Sequence, residues 1–131
     1  MGDRAGVQQL HDFGLSVELA GGVPVVTVAG DVDLYSAPEL RDRLVRLADD
    51  GATRIVLDLS RATFLDSMAL GVLLSTKKRL AGELELVVPT PEVRRIFEIT
   101  MLDRIFALYE TREDALRGGG AQPSSASSSE E

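Results

Sequence analysis

The sequence predicts a mixed α/β fold: a small, mainly parallel sheet opened by an antiparallel hairpin. Three observations carry this. Strand-like and helix-like segments alternate in the order β β α β α β α β α, and helices of this length between strands imply parallel, right-handed crossovers. Gly21-Gly22 separates two extended segments by two residues, the spacing of a tight hairpin. Residues 55–60, IVLDLS, are apolar towards both faces, as a parallel strand covered by helices must be.

The elements follow in order. Residues 14–20, GLSVELA, alternate apolar and polar and read as a half-exposed strand; VPVVTVAG (23–30) is its more apolar partner. A helix over 36–50 starts with Ser36 as N-cap and Glu39 as capping-box partner, tolerates Pro38 in its first turn and ends at Gly51. Leu40, Leu44, Val45 and Leu47 recur at helical spacing along it. After the central strand (54–60), a second helix spans 67–81, with Lys77, Lys78 and Arg79 near its negative end and Gly82 as its stop. ELELVV (83–88) is the next strand. Thr90 caps a third helix with Pro91 at its first position. IFALY (105–109) is a short final strand, and Thr111 with Asp114 opens a last helix ending at Arg117. Residues 1–12 read as a lead-in, 13–117 as one domain, and 118–131, GGGAQPSSASSSEE, as a disordered tail without apolar periodicity.

Composition narrows the function. The chain has 131 residues, no cysteine, one histidine (His11) and a net charge of −7. Disulfides and thiolate chemistry are excluded, and a Ser-His-Asp relay is disfavoured by a lone histidine in a lead-in segment. An acidic chain without a basic cluster is not built for nucleic acid or anionic lipid. No apolar run is long enough to span a bilayer and no secretory leader opens the sequence, so a cytoplasmic protein is expected. Neither G-x-G-x-x-G, nor a P-loop, nor G-x-S-x-G occurs. Asp31 and Asp33 lie two apart after the second strand; two carboxylates alone make a weak cation site, so they read as a solvated loop and no metal or cofactor is expected. Asp58 invites comparison with a phospho-accepting aspartate of response regulators, but it lies inside its strand and no Lys follows ELELVV. A small α/β enzyme or nucleotide binder is disfavoured by the missing phosphate loop.

That leaves Asp66-Ser67, at the junction of the central strand and the second helix. Asp66 is a strong N-cap, with Ser67 the first helical residue. A serine there is also a good phosphate acceptor: a phosphoryl group would meet free backbone N–H groups and the positive helix end without unfolding the domain.

Three segments, GDVDLYSAPELRDRL, IVLDLSRATFLDSMALGVLLSTKKRL and VRRIFEITMLDRIF, resemble the bacterial anti-sigma factor antagonists, single-domain members of the STAS family, over roughly residues 13–117. The specific piece is Asp66-Ser67-Met68-Ala69-Leu70-Gly71, which matches a strand, short loop and helix-opening Asp-Ser motif. The resemblance implies a small mixed sheet with helices packed mainly on one face. It implies that Ser67 is the phosphorylated serine. The implied kinase is the partner anti-sigma factor, of the histidine-kinase-like ATPase fold; a PP2C-type phosphatase reverses the step. By the same resemblance, the unphosphorylated protein binds that kinase and frees a sigma factor, and the protein itself is no enzyme. The implied partner surface joins Asp31 and Asp33 to Asp66, Ser67, Met68 and Ala69, with Leu34, Tyr35 and Met68 as apolar contacts. A STAS scaffold subunit of a stress-signalling or transport complex is the alternative. Met68 departs from the usual Ser or Thr, and Met101 from a frequent Gly; if that turn needs positive φ, Met101 costs about 1 kcal/mol.

Overall fold

The computed structural model of the chain describes residues 13–80 and 82–118. The expected lead-in, His11 and the tail beyond Gly118 lie outside the described residues. Five strands form one sheet in the order β1 (Gly14–Ala20), β2 (Val23–Val32), β3 (Arg54–Leu65), β4 (Glu83–Val87), β5 (Ala107–Tyr109). β1 and β2 pair antiparallel; β2 to β5 are parallel. Ala20 pairs with Val23 across Gly21 and Gly22, whose φ angles of 59° and 86° are those a two-residue turn of this hand requires. Helices α1 (Ala37–Asp49), α2 (Ser67–Arg79) and α3 (Pro91–Ile99) fill the crossovers, and a short α4 (Arg112–Arg117) closes the domain.

The two faces of the sheet are unequal. Val26, Val28, Ile55, Leu57, Leu59, Leu84 and Leu86 point to the main core, where Leu40 and Leu44 of α1, Leu73 of α2 and Phe97 of α3 meet them, all fully or almost fully buried. The opposite face carries Val25, Val56 and Val87, covered by Ala115 and Leu116 of α4. Three helices thus lie on one face and one short helix on the other. That second face also holds charge. Asp58, buried on β3, accepts from Arg112 Nε of α4 at 2.6 Å and from the Ser60 N–H at 2.9 Å. Arg112 continues to Thr27 Oγ1 at 2.6 Å and to Glu18, spanning β1, β2 and β3. Arg54 pairs with buried Glu85 at 2.8 Å and donates to the Ala115 and Leu116 carbonyls, the open end of α4. Both ends of α4 are therefore tied to the sheet by an arginine.

Several element ends differ from expectation. β2 continues to Val32 and β3 to Leu65, because their parallel pairing persists past Gly30 and Ser60 and supplies the hydrogen bonds that loop-like composition obscures. Asp31 is therefore a strand residue, not a solvated loop. Residues 61–65 are strand where a short loop was expected. β4 stops at Val87, and residues 102–104 form a 3-10 turn, leaving only 107–109 for β5. Gly82 does not end α2, which stops at Arg79; a Cβ on Gly82 would lie 1.8 Å from the Thr53 carbonyl oxygen, so it is a close-approach glycine. Thr90 makes no capping hydrogen bond. Thr111 does, accepting from Asp114 N at 3.0 Å.

Candidate functional site

The parallel strands β2 and β3 end side by side. Asp31 pairs with Phe64 and Val32 with Leu65, and the Asp66 N–H then donates to the Val32 carbonyl at 3.1 Å. At Asp66 the chain leaves the sheet in an extended conformation, φ −94°, ψ −174°, and α2 begins. The Asp66 carboxylate accepts from Ala69 N at 3.0 Å, the N-cap bond expected of it. Its carbonyl accepts from Leu70 N at 3.0 Å. Ser67 is the first residue of α2, exposed, and its hydroxyl makes no hydrogen bond among the described residues. The backbone N–H groups of Ser67 and Met68 precede the first intrahelical bond, so the site carries the helix's positive partial charge.

The neighbouring turn is built by Asp33. Its carboxylate accepts from Tyr35 N at 2.9 Å and Ser36 N at 3.2 Å, and its carbonyl from Ala37 N at 2.7 Å. Asp33, rather than Ser36, thus caps the start of α1. The capping box expected between Ser36 and Glu39 does not form. Ser36 is helical in φ and ψ and buried, and its hydroxyl donates to the Asp31 carbonyl at 2.9 Å while accepting from Asp33 N at 3.0 Å. The local sequence Asp-Leu-Tyr-Ser is therefore self-tying. With its polar groups turned inward, it presents Leu34 and Tyr35 to solvent. Thr63 donates to the Asp31 carboxylate and ties the two strand ends through side chains.

The two segments form one surface. Asp31, Asp33, Leu34 and Tyr35 come from the β2 end; Asp66, Ser67 and Met68 come from the β3 end, joined to it by the 3.1 Å hydrogen bond from Asp66 N to the Val32 carbonyl. Ala69 differs from the rest. Its side chain is fully buried, so it serves this surface only through the N–H held by Asp66. Phe64 is an addition that sequence reasoning missed, exposed beside Asp31. Two register shifts precede it: between Thr27 and Ala29 β3 advances three residues to β2's two, and between Gly30 and Asp31 it advances two to one. Each inserts an extra β3 residue, and such bulges re-aim side chains. The two insertions together restore the alternation, so Phe64 stays on the face of Val56 and Asp58 while Ala62, between them, turns to the core; its exposure had no signal in the sequence.

Asp58 is remote from this surface in role. Burial alone would raise its pKa, but hydrogen bonds from Arg112 and Ser60 prevail and hold it below the usual carboxylate range. It is a paired structural carboxylate on the far face. Among the described residues no cluster of three or more His, Cys, Asp or Glu could hold a metal ion, and no helix is long and apolar enough to cross a membrane.

A five-stranded mixed sheet with an opening hairpin and an Asp-capped serine at a helix start defines a class as well as a shape. Residues 15–115 match the STAS domain family, and the chain belongs to it. Anti-sigma factor antagonists stand among the curated relatives. The anti-sigma-F factor antagonist RsfB of Mycobacterium tuberculosis is 32% identical over 99 residues, 74% of this chain and 81% of that one. The anti-sigma-B factor antagonist of Bacillus subtilis is 37% identical over 100 residues, 74% of this chain and 86% of its own. Among solved structures, an anti-sigma factor antagonist from Mycobacterium paratuberculosis superposes with TM-score 0.76 at 36% identity, covering 81% of this chain and 92% of that one.

Proposed function

We propose that this chain is an anti-sigma factor antagonist that binds a serine-kinase anti-sigma factor in its unphosphorylated form, and that phosphorylation of Ser67 switches the binding off. The observation that carries the reading is Ser67 itself: exposed, unbonded among the described residues, and fixed at the first position of α2 by the Asp66 cap. The kinase is of the histidine-kinase-like ATPase fold, and a PP2C-type phosphatase resets the switch. The antagonist performs no chemistry; its serine is a substrate.

The surface suits both halves of the cycle. Leu34, Tyr35, Phe64 and Met68 give exposed apolar area in place of the charged residues that interface centres lack. Binding there presents the Ser67 Oγ to bound ATP. Oγ attacks the γ-phosphorus, the bond to the β-bridging oxygen breaks, ADP leaves and the hydroxyl proton passes to a base on the kinase. The product carries about −1.5 to −2 additional charge at neutral pH. That charge joins Asp31, Asp33 and Asp66 on one small surface, facing the nucleotide from which it came. Like charges brought together at an interface cost several kcal/mol, enough to release the complex.

The test is incubation with the anti-sigma kinase recovered by pull-down, plus ATP, followed by mass-spectrometric mapping. Phosphate on Ser67, with loss of binding in Ser67→Asp, is expected. Phosphate elsewhere, or a Ser67→Asp variant that binds as tightly as wild type, overturns the proposal.

A further inference from the structure

A second exposed apolar surface lies at the end of the sheet opposite Ser67. α3 starts beyond the C-terminal end of β4 and returns antiparallel to it, so its last turn and the 3-10 turn lie by the N-terminal ends of the parallel strands. There Ile99 is 70% exposed, Met101 53%, and Ile105 is exposed beside them. Met101 adopts φ 63° and ψ 18°, the sole positive φ of a non-glycine among the described residues. A side chain in that left-handed conformation is strained where glycine would not be.

The apolar side chains stand on a firm base. Leu102 and Phe106 beneath them are buried, and Phe106 meets Phe97 edge-on at 6.2 Å between ring centres. Met101 N donates to the Glu98 carbonyl at 3.1 Å and Phe106 N to the Leu102 carbonyl at 3.0 Å. Ile99, Met101 and Ile105 are thus held outward although the core has taken Leu102 and Phe106 beside them. Charge of both signs surrounds them. Arg95 and Glu98 lie within one turn of Ile99, and Asp103 and Arg104 precede Ile105; none forms an ion pair among the described residues.

We infer that this surface pairs with a second copy of the chain about a two-fold axis. In such a contact each patch must complement itself. An apolar centre flanked by the carboxylates of Glu98 and Asp103 and the guanidiniums of Arg95 and Arg104, none ion-paired among the described residues, meets that condition: acidic groups of one protomer face basic groups of the other. A partner with charge of one sign would leave some of these groups opposed by a like charge. The patch is small, so association is weak, in the class of interfaces below about 1,200 Å² in total. Ser67 remains exposed on both protomers, and the inference does not rest on the phosphorylation reading.

Sedimentation velocity on the full chain, from about 10 μM to about 1 mM, reads the association directly. A concentration-dependent dimer is expected. Ile99→Lys and Met101→Gly should each raise its dissociation constant at least about tenfold, as loss of a central apolar contact does. Met101→Gly should also keep or raise the thermal midpoint, since it removes the strain, so lost association is not lost folding. Met68→Lys, at the other end, should leave the dimer intact. A chain that stays monomeric at the highest concentration overturns the inference. So does a dimer indifferent to both substitutions, or one abolished by Met68→Lys.

Discussion

Replacing Arg112 with methionine should cost the fold about 3 kcal/mol. The substitution removes the one cation that hydrogen-bonds Asp58 among the described residues, and leaves a buried carboxylate, its side chain 6% exposed, with Ser60 as its remaining hydrogen-bond donor. Removing one partner of a buried ion pair costs about 3–5 kcal/mol. Arg112 is itself 35% exposed, so water screens part of the pair and the expected loss sits at the bottom of that range. Urea denaturation followed by circular dichroism measures it, with the slope checked to confirm that the unfolded state is unchanged. A double variant, Asp58→Val with Arg112→Met, should recover most of the loss, because no charge remains to be buried. The pH dependence follows from Asp58. Its folded pKa lies below its unfolded one, so its contribution is fully present above the usual carboxylate pKa of 3.8 and is lost as pH falls through the lower folded value. The Arg112→Met variant should lose that acid-range slope. A single variant within about 0.5 kcal/mol of wild type, or a double variant no more stable than the single, would refute the reasoning.

Two further outcomes are expected. Asp66→Ala removes the oxygen that accepts from Ala69 N and should destabilise the protein by about 1 kcal/mol in thermal or urea unfolding, the usual cost of an N-cap. Phe64→Ser changes an exposed side chain, so it should leave stability within about 0.5 kcal/mol while weakening kinase binding at least about tenfold by calorimetry.

What was legible in the sequence is instructive in its detail. The hairpin was legible because Gly21-Gly22 permits little else, and the sheet because alternating strands and helices leave few topologies. The start of α2 was legible because aspartate is a strong cap and the bond to Ala69 N is local. The start of α1 was not. Ser36 and Glu39 have the spacing of a capping box, but Asp33 takes the Ser36 N–H that Glu39 would have used, and the Ser36 hydroxyl turns to Asp31 instead. Gly82 read as a helix stop, yet its reason is the Thr53 carbonyl, a contact made across the chain. The end of β3 was the largest departure. Whether residues 61–65 are loop or strand is decided by pairing to β2, and that Ala62 faces the core is decided by the bulge before it. Neither is a property of the segment alone. Within the candidate surface, the residues at the two strand ends were identifiable one by one. That Ala69 faces the core and Phe64 faces out required the fold.

Sheet, cap and surface all converge on a single hydroxyl. The direct measurement is the affinity of the anti-sigma kinase for two forms of this chain, unmodified and phosphorylated at Ser67, by isothermal titration at one ionic strength. The switch predicts at least about a hundredfold weaker binding of the phosphorylated form, close to 3 kcal/mol. Equal affinities for the two forms would contradict it.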